Sequence, residues 1–324
     1  MKIARIQESA TEVRTAIIAP DDVVRVLDAE VDALALLAAD PLERERLAGR
    51  VSAERPLSAV RLLAPVTPPT IRDFSVFERH LAGVILNSSP EATVPEVFYE
   101  SPFCYFTNPH ALTGPGDEIA VPPGCERLDL ELEVAAVIGT AGRDLSPSRA
   151  GAHIAGYTIF NDWSARDLQM AEMRLGLGTC KGKDFANTLG PWIVTADELE
   201  PFRDGDRLAL ELRAEINGVA LGSDSLANMA WSFEELVSYA SRGTWVRPGD
   251  VLGSGTCGYG CLFELWGREG PDVHAPLRPG DAVALRVEGI GTLQNTVVAG
   301  VDPIPLPRAR PAATKSLRVP SYRR

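Results

Sequence analysis

Leu128-Asp129-Leu130-Glu131-Leu132-Glu133-Val134 sets two glutamates two residues apart inside an apolar run, and Asn161-Asp162-Trp163-Ser164-Ala165-Arg166-Asp167 follows one connection later. On an extended strand residues i and i+2 face the same way, so Glu131 and Glu133 are expected to project side by side. Leu128, Leu130, Leu132, Val134 and the Ala135-Ala136-Val137 that follows argue against a solvated strand. Burying a carboxylate pair is costly unless a cation neutralises it. Oxygen donors of this kind suit Mg²⁺, Mn²⁺ or Ca²⁺ better than zinc. Glu131 and Glu133 therefore read as ligands of a divalent metal, Mg²⁺ first, with Asp162 as a third.

The rest of the chain narrows the class. Its 324 residues suffice for one large domain or two smaller ones, and 45% hydrophobic with 23% charged residues is ordinary for a soluble enzyme. A net charge of −12 argues against a nucleic-acid partner, which needs clustered Lys and Arg. No apolar run is long enough for a membrane span. Met1-Lys2-Ile3-Ala4-Arg5 has no signal-peptide core, so a cytoplasmic location is expected. Cysteines 104, 125, 180, 257 and 261 are scattered and odd in number, which favours free thiols. Cys257 and Cys261 lack companion ligands for zinc and read as small buried side chains.

A small N-terminal α/β module is expected over residues 1–65, with strands at 2–6 and 13–18 and helical stretches at 31–37 and 41–48. Leu62-Leu63-Ala64-Pro65-Val66-Thr67-Pro68-Pro69 is a Pro-rich connector. A larger domain is expected over 66–304. It opens with a helix over 71–86, N-capped by Asp73, and a surface loop over 87–100. Strands are expected over 118–121, 128–137, 154–159, 192–195, 208–216, 251–253, 281–287 and 291–297, with helices over 165–174 and 232–241. There is no βαβ rhythm and no Gly-rich phosphate loop, which argues against a dinucleotide fold. The fold class is α+β, mostly β. Residues 305–324 read as a basic, Pro-rich tail.

Arg166 and Gln169 are three apart, hence on one helical face. Arg166 can grip an acid or enolate oxygen bidentately. Asp73 and His80 are seven apart, two turns of the expected helix and so on one side of it.

Taken together, Leu128–Val134, the NDWSARDLQ run from Asn161 to Gln169, Gly182-Lys183-Asp184-Phe185, Pro191-Trp192 and Gly253-Ser254-Gly255-Thr256 resemble the fumarylacetoacetate hydrolase family. The resemblance spans roughly residues 62–298. It implies a mixed β-roll, a divalent metal, a homodimer, and a small 2-oxo or 1,3-dioxo acid as substrate. It also implies a fourth metal carboxylate at Asp73 and a catalytic His80 held by Glu264, itself expected on a strand. Lys183 would stabilise negative charge, with Lys181 as the competing register. Tyr105 and Thr256 would line the pocket with Arg166 and Gln169.

The founding hydrolase type has Tyr where Ser75 aligns, Arg at Ser89, Tyr at Met173 and Thr at Asn187. Three of these positions are expected to touch the distal part of the substrate, so fumarylacetoacetate itself is in doubt and a smaller or more apolar tail fits as well. Cleavage of a carbon–carbon bond in an acylpyruvate-like acid is the expected reaction. Hydration, tautomerisation or decarboxylation of a 2-oxo acid on the same metal is the alternative. A metal-stabilised module without turnover is the rival from another class.

Overall fold

The computed structural model describes residues 1–310. Ten strands of the large sheet carry the argument: β1 (Lys2–Gln7), β2 (Val13–Ala19), β3 (Val23–Leu27), β4 (Val51–Pro56), β5 (Ile71–Phe74), β6 (Cys104–Thr107), β7 (Leu132–Ile138), β8 (Ile154–Asp162), β9 (Asn187–Thr195) and β10 (Val251–Gly253). They lie in the order β4-β3-β2-β1-β9-β8-β7-β10-β5-β6. A second, five-stranded sheet runs Val219–Ser225, Glu211–Ile216, Ala282–Val287, Gly291–Val298, Glu118–Ala120.

Both faces of the large sheet are covered, and this explains the unbroken apolar run in β7. Val134, Ala136 and Ile138 pack in one core with Leu212, Leu285 and Leu293 of the second sheet. Ala135 and Val137 point the other way, into a core shared with Ile3, Phe160 and the Leu36–Leu37 face of the Ala33–Ala38 helix. A strand buried on both faces loses the polar alternation of a half-exposed one. The architecture is α+β and mostly β, as the sequence implies.

The N-terminal strands join this sheet rather than forming one of their own. β1 pairs antiparallel with β9, placing Lys2 opposite Val194 and Ile3 opposite Ile193. The strands β3, β4 and Val219–Ser225 carry no expectation from the sequence. β4 has only one position that is not fully exposed, so it shows no apolar signature.

Two expectations fail. Residues 71–86 are not one helix: Ile71–Phe74 is a fully buried strand, and the helix α1 starts at Glu78 and ends at Ile85. The apolar spacing Ile71, Phe74, Phe77 and Leu81 mimics a helix. However, β5 is held between β10, to which it runs parallel, and antiparallel β6, and tertiary pairing wins. Asp73 therefore caps no helix and shares no helical face with His80. Glu264 is on a helix, α3 (Leu262–Glu269), not a strand. The helices expected over 165–174 and 232–241 appear as α2 (Arg166–Met173) and Phe233–Ala240. The latter carries a Ser232/Glu235 capping box.

Residues 305–310 are exposed and without regular structure, and the remainder of the basic tail lies outside the described residues. No helix among the described residues is long and apolar enough to cross a membrane.

Because β7 is antiparallel to β8 and β10, and β5 parallels β10, the start of β7 meets the ends of β8, β10 and β5 at one edge of the sheet. Trp163 fastens that edge: it is fully buried, and its indole N–H donates to Thr188 Oγ1 on β9 at 2.8 Å. Trp163→Ala should lower unfolding free energy by about 3–5 kcal/mol in a denaturant titration. A loss below about 1 kcal/mol would remove it from this role.

Candidate active site

Asp73, Glu131, Glu133 and Asp162 arrive from β5, the turn before β7, β7 and the end of β8, and offer carboxylate oxygens that all lie within 4.8 Å of one another. Glu131 precedes the regular strand, so the expected i, i+2 alignment is broken at residues 130–131, yet both glutamates still converge. The kink is held by the Glu131 N–H donating to Asn161 Oδ1 at 2.9 Å. All four residues are at most 4% exposed.

Glycine is required beside them. A Cβ on Gly253 would stand 2.5 Å from Asp73 Oδ1 and 2.9 Å from Glu133 Oε2. Gly255, at φ +76°, turns its N–H onto the same two oxygens, at 3.2 Å to Asp73 Oδ1 and 3.1 Å to Glu133 Oε2. The Thr256 hydroxyl lies 3.5 Å from Glu133 Oε1.

Two cations face this cluster. Lys183 Nζ bonds Glu131 and, at 2.6 Å, Asp162 Oδ2. Lys181 is exposed and pairs with Asp184 instead. Arg166 donates to Asp129 Oδ2 at 2.9 Å, Glu131 Oε1 at 2.6 Å and Gln169 Oε1 at 3.1 Å. Its guanidinium is thus committed to protein carboxylates and orients Glu131. The Tyr105 hydroxyl donates to Asp162.

The charges do not balance. Burial pushes Asp73 up to about 6 and Asp162 up to about 7, with neighbouring carboxylates adding to it. Burial and Asp73 hold Glu133 well above the ordinary range. Glu131 is also raised by burial, but Lys183 and Arg166 outweigh that and draw it below its usual value. Asp162 Oδ1 is buried with no hydrogen-bond partner among the described residues. An orphaned carboxylate oxygen amid buried acids is the donor set a hard divalent cation takes.

Beside the cluster, His80 Nδ1 sits 3.3 Å from Glu264 Oε2. Glu264 is fully buried and fixed on both oxygens: the Tyr259 N–H donates to Oε2 at 2.7 Å, and Arg268 Nε to Oε1 at 2.8 Å. Helices α1 and α3 meet through glycine, since a Cβ on Gly83 would fall 2.3 Å from Glu264 Cγ. Cys261 caps α3, accepting from the Glu264 N–H at 3.4 Å, and its Sγ lies 3.8 Å from His80 Nδ1.

A residue the sequence reading missed ties these halves together. Asp129, fully buried, accepts from the Leu262 and Phe263 N–H groups at 2.8 and 2.9 Å and from Arg166. It anchors the first turn of α3 to the strand that leads into Glu131. Its place in the LDLELE run, two residues before Glu131 and so of the same parity as the glutamates, was a signal of burial but not of its partners.

A cavity of about 410 Å³ opens onto the cluster. Asp73, His80, Tyr105, Glu131, Arg166, Gln169, Lys183 and Thr256 line it; Glu133, Asp162 and Glu264 lie behind that wall. Ser75 and Met173 also line it. Ser89 does not, and Asn187 is buried behind, bonded to Thr107 Oγ1 at 3.1 Å, so two rather than three of the departures reach the cavity.

A family model described as fumarylacetoacetate (FAA) hydrolase C-terminal matches residues 70–298, and one described as Rv2993c-like, N-terminal matches residues 1–65. The fumarylacetoacetase of Arabidopsis thaliana is 28% identical over 281 residues, covering 72% of this chain and 66% of its own length. The human mitochondrial oxaloacetate tautomerase FAHD2A is 33% identical over 245 residues, 75% of this chain and 71% of that one. The crystal structure of 2-hydroxyhepta-2,4-diene-1,7-dioate isomerase from Mycobacterium marinum superposes with a TM-score of 0.67 at 28% identity, over 92% of this chain and 98% of that one.

Raised acid pKa values make stability depend on pH. Asp73 and Asp162 hold protons in the folded protein up to about pH 6 and 7 that the unfolded chain releases nearer 4. Without metal, the contribution of these two acids to stability is therefore full below about pH 4 and is lost as pH rises through 6 to 7. Glu131 acts oppositely, but only at lower pH. Addition of Mg²⁺ to chelator-treated protein should raise Tm by several degrees at pH 8 and by clearly less at pH 5.5. A shift absent at pH 8 would count against the metal assignment.

Proposed function

The chain belongs to the fumarylacetoacetate hydrolase family, and within it we propose a metal-dependent hydrolase that cleaves a carbon–carbon bond in an acylpyruvate-like acid. The observation that carries the proposal is the His80–Glu264 contact at 3.3 Å beside a buried carboxylate cluster. Asp73, Glu131, Glu133 and Asp162 would hold the divalent cation, with Mg²⁺ ahead of Mn²⁺ and Ca²⁺. When bound, that ion supplies Lewis-acid polarisation of the substrate oxygens and a template for orienting them.

The protein's own groups do the rest. Glu264 accepts from His80 Nδ1–H, which selects the tautomer with a free lone pair on Nε2. That nitrogen takes a proton from water, and the hydroxide adds to the distal carbonyl carbon. The bond between this carbon and the neighbouring methylene then breaks, its electron pair leaving on the pyruvate fragment as an enolate. The imidazolium returns a proton to the enolate carbon. The products are pyruvate and a carboxylic acid. Lys183 faces the developing negative charge, Gln169, Tyr105 and Thr256 border the substrate space, and Arg166 keeps Glu131 in place. The homodimer implied by the family resemblance is part of this proposal.

A second reading has support from the human relative named an oxaloacetate tautomerase. The same base could shuttle a proton between carbon and oxygen without water. Product analysis by NMR on acetylpyruvate and oxaloacetate separates the two: two acids from hydrolysis, one isomer from tautomerisation. With Mg²⁺ present, His80→Asn should lower kcat about 10²–10⁴-fold while Mg²⁺ still raises Tm. Unchanged turnover would remove His80 as the base.

A further inference from the structure

The cavity changes character with distance from the carboxylates. On α1, Leu81, Val84 and Ile85 follow His80 at spacing i, i+3, i+4 and present one face to it. On α2, Met170 and Met173 continue the face that begins with Arg166 and Gln169, and Phe263 closes the wall from α3. Helices α1 and α2 are each polar at the carboxylate end and apolar beyond it.

Among the described residues lining the cavity, the permanent cations are Lys183 and Arg166, and both are already paired with acids at the cluster. The arginines of α1 and α3 are engaged elsewhere: Arg79 lies 3.6 Å from Asp224, and Arg268 bonds Glu264 at 2.8 Å. The polar groups along the outer wall, Ser75, Ser88 and Thr179, are neutral. Thr179 Oγ1 is buried without a hydrogen-bond partner among the described residues, so it is free to donate to an uncharged oxygen.

A carboxylate laid against this wall would gain no counter-charge, whereas an uncharged tail would cover Leu81, Val84, Ile85 and the exposed Met170 and Met173. We propose that the site takes a 2-oxo acid with a single carboxylate and a short uncharged tail, and rejects the diacid of equal length. This rests on the reading above that the cavity binds a 2-oxo acid. From Leu81 to Ile85 the helix advances about 6 Å, room for a tail of roughly five bonds in extended form.

The test is calorimetric titration of the Mg²⁺-loaded full chain with 2-oxoheptanoate and with 2-oxoheptanedioate, which match in length and differ in the distal charge. The monoacid should bind at least tenfold more tightly. Met173→Arg, which places a cation on the outer wall, should cut that ratio at least fivefold. Equal or tighter binding of the diacid by the wild-type protein overturns the proposal and leaves the 2-oxo acid reading standing. So does a monoacid preference that Met173→Arg leaves unchanged. Failure of both acids to bind overturns the underlying reading and this inference with it.

Discussion

Concentrated negative charge in a dry interior is the constraint around which this molecule is built. Asp73, Glu131, Glu133 and Asp162 lie within a few ångströms of each other, with Asp129 one strand step away. No isolated arrangement of that kind would stay ionised. Lys183 and Arg166 neutralise part of it, and protons taken up by the remaining acids neutralise more. The strand ends, the two glycines at 253 and 255 and the Asn161 side chain serve one purpose, which is to hold repelling groups at short range. Electrostatic preorganisation of this type is what gives fixed charges leverage over a reacting substrate.

Arg166 shows how one residue can serve folding and chemistry together. Its guanidinium bonds Asp129, which accepts from the first N–H groups of α3, and Glu131, which borders the cavity. The base-holding helix and the carboxylate cluster are therefore connected through one buried arginine and its two carboxylate partners. Losing one partner of such a pair leaves an uncompensated charge and costs about 3–5 kcal/mol.

Much of this was legible in the chain. The LDLELE and NDWSARD runs pointed to Glu131, Glu133 and Asp162, Asp73 came only from the family resemblance, and the short strands between Gly/Pro turns gave the mostly-β class. What failed was local. Residues 71–86 carry an apolar spacing compatible with helix, and only the neighbours supplied by residues 104–107 and 251–253 make Ile71–Phe74 a strand. Glu264 sits among apolar residues because both faces of α3 near its start are buried, which in sequence looks like a strand. Asp129 was overlooked because its partners lie 37 and 133 residues away, a separation no local pattern can reveal.

The pairing of β1 with β9 bears on the order in which the chain can assemble. Lys2 and Ile3 meet Val194 and Ile193, and the terminal amine donates to Thr195 Oγ1 at 2.8 Å. On that side of β1, Arg5–Gln7 pairs with Arg61–Leu63, while Lys2 and Ile3 have no neighbour until β9 has been synthesised. During translation the β1–β4 meander, extended by Arg61–Leu63, leaves only the Lys2–Ile3 stretch of that flank unpaired, which keeps the exposed edge short. Ring closure over so long a span also places this ladder among the late events of folding.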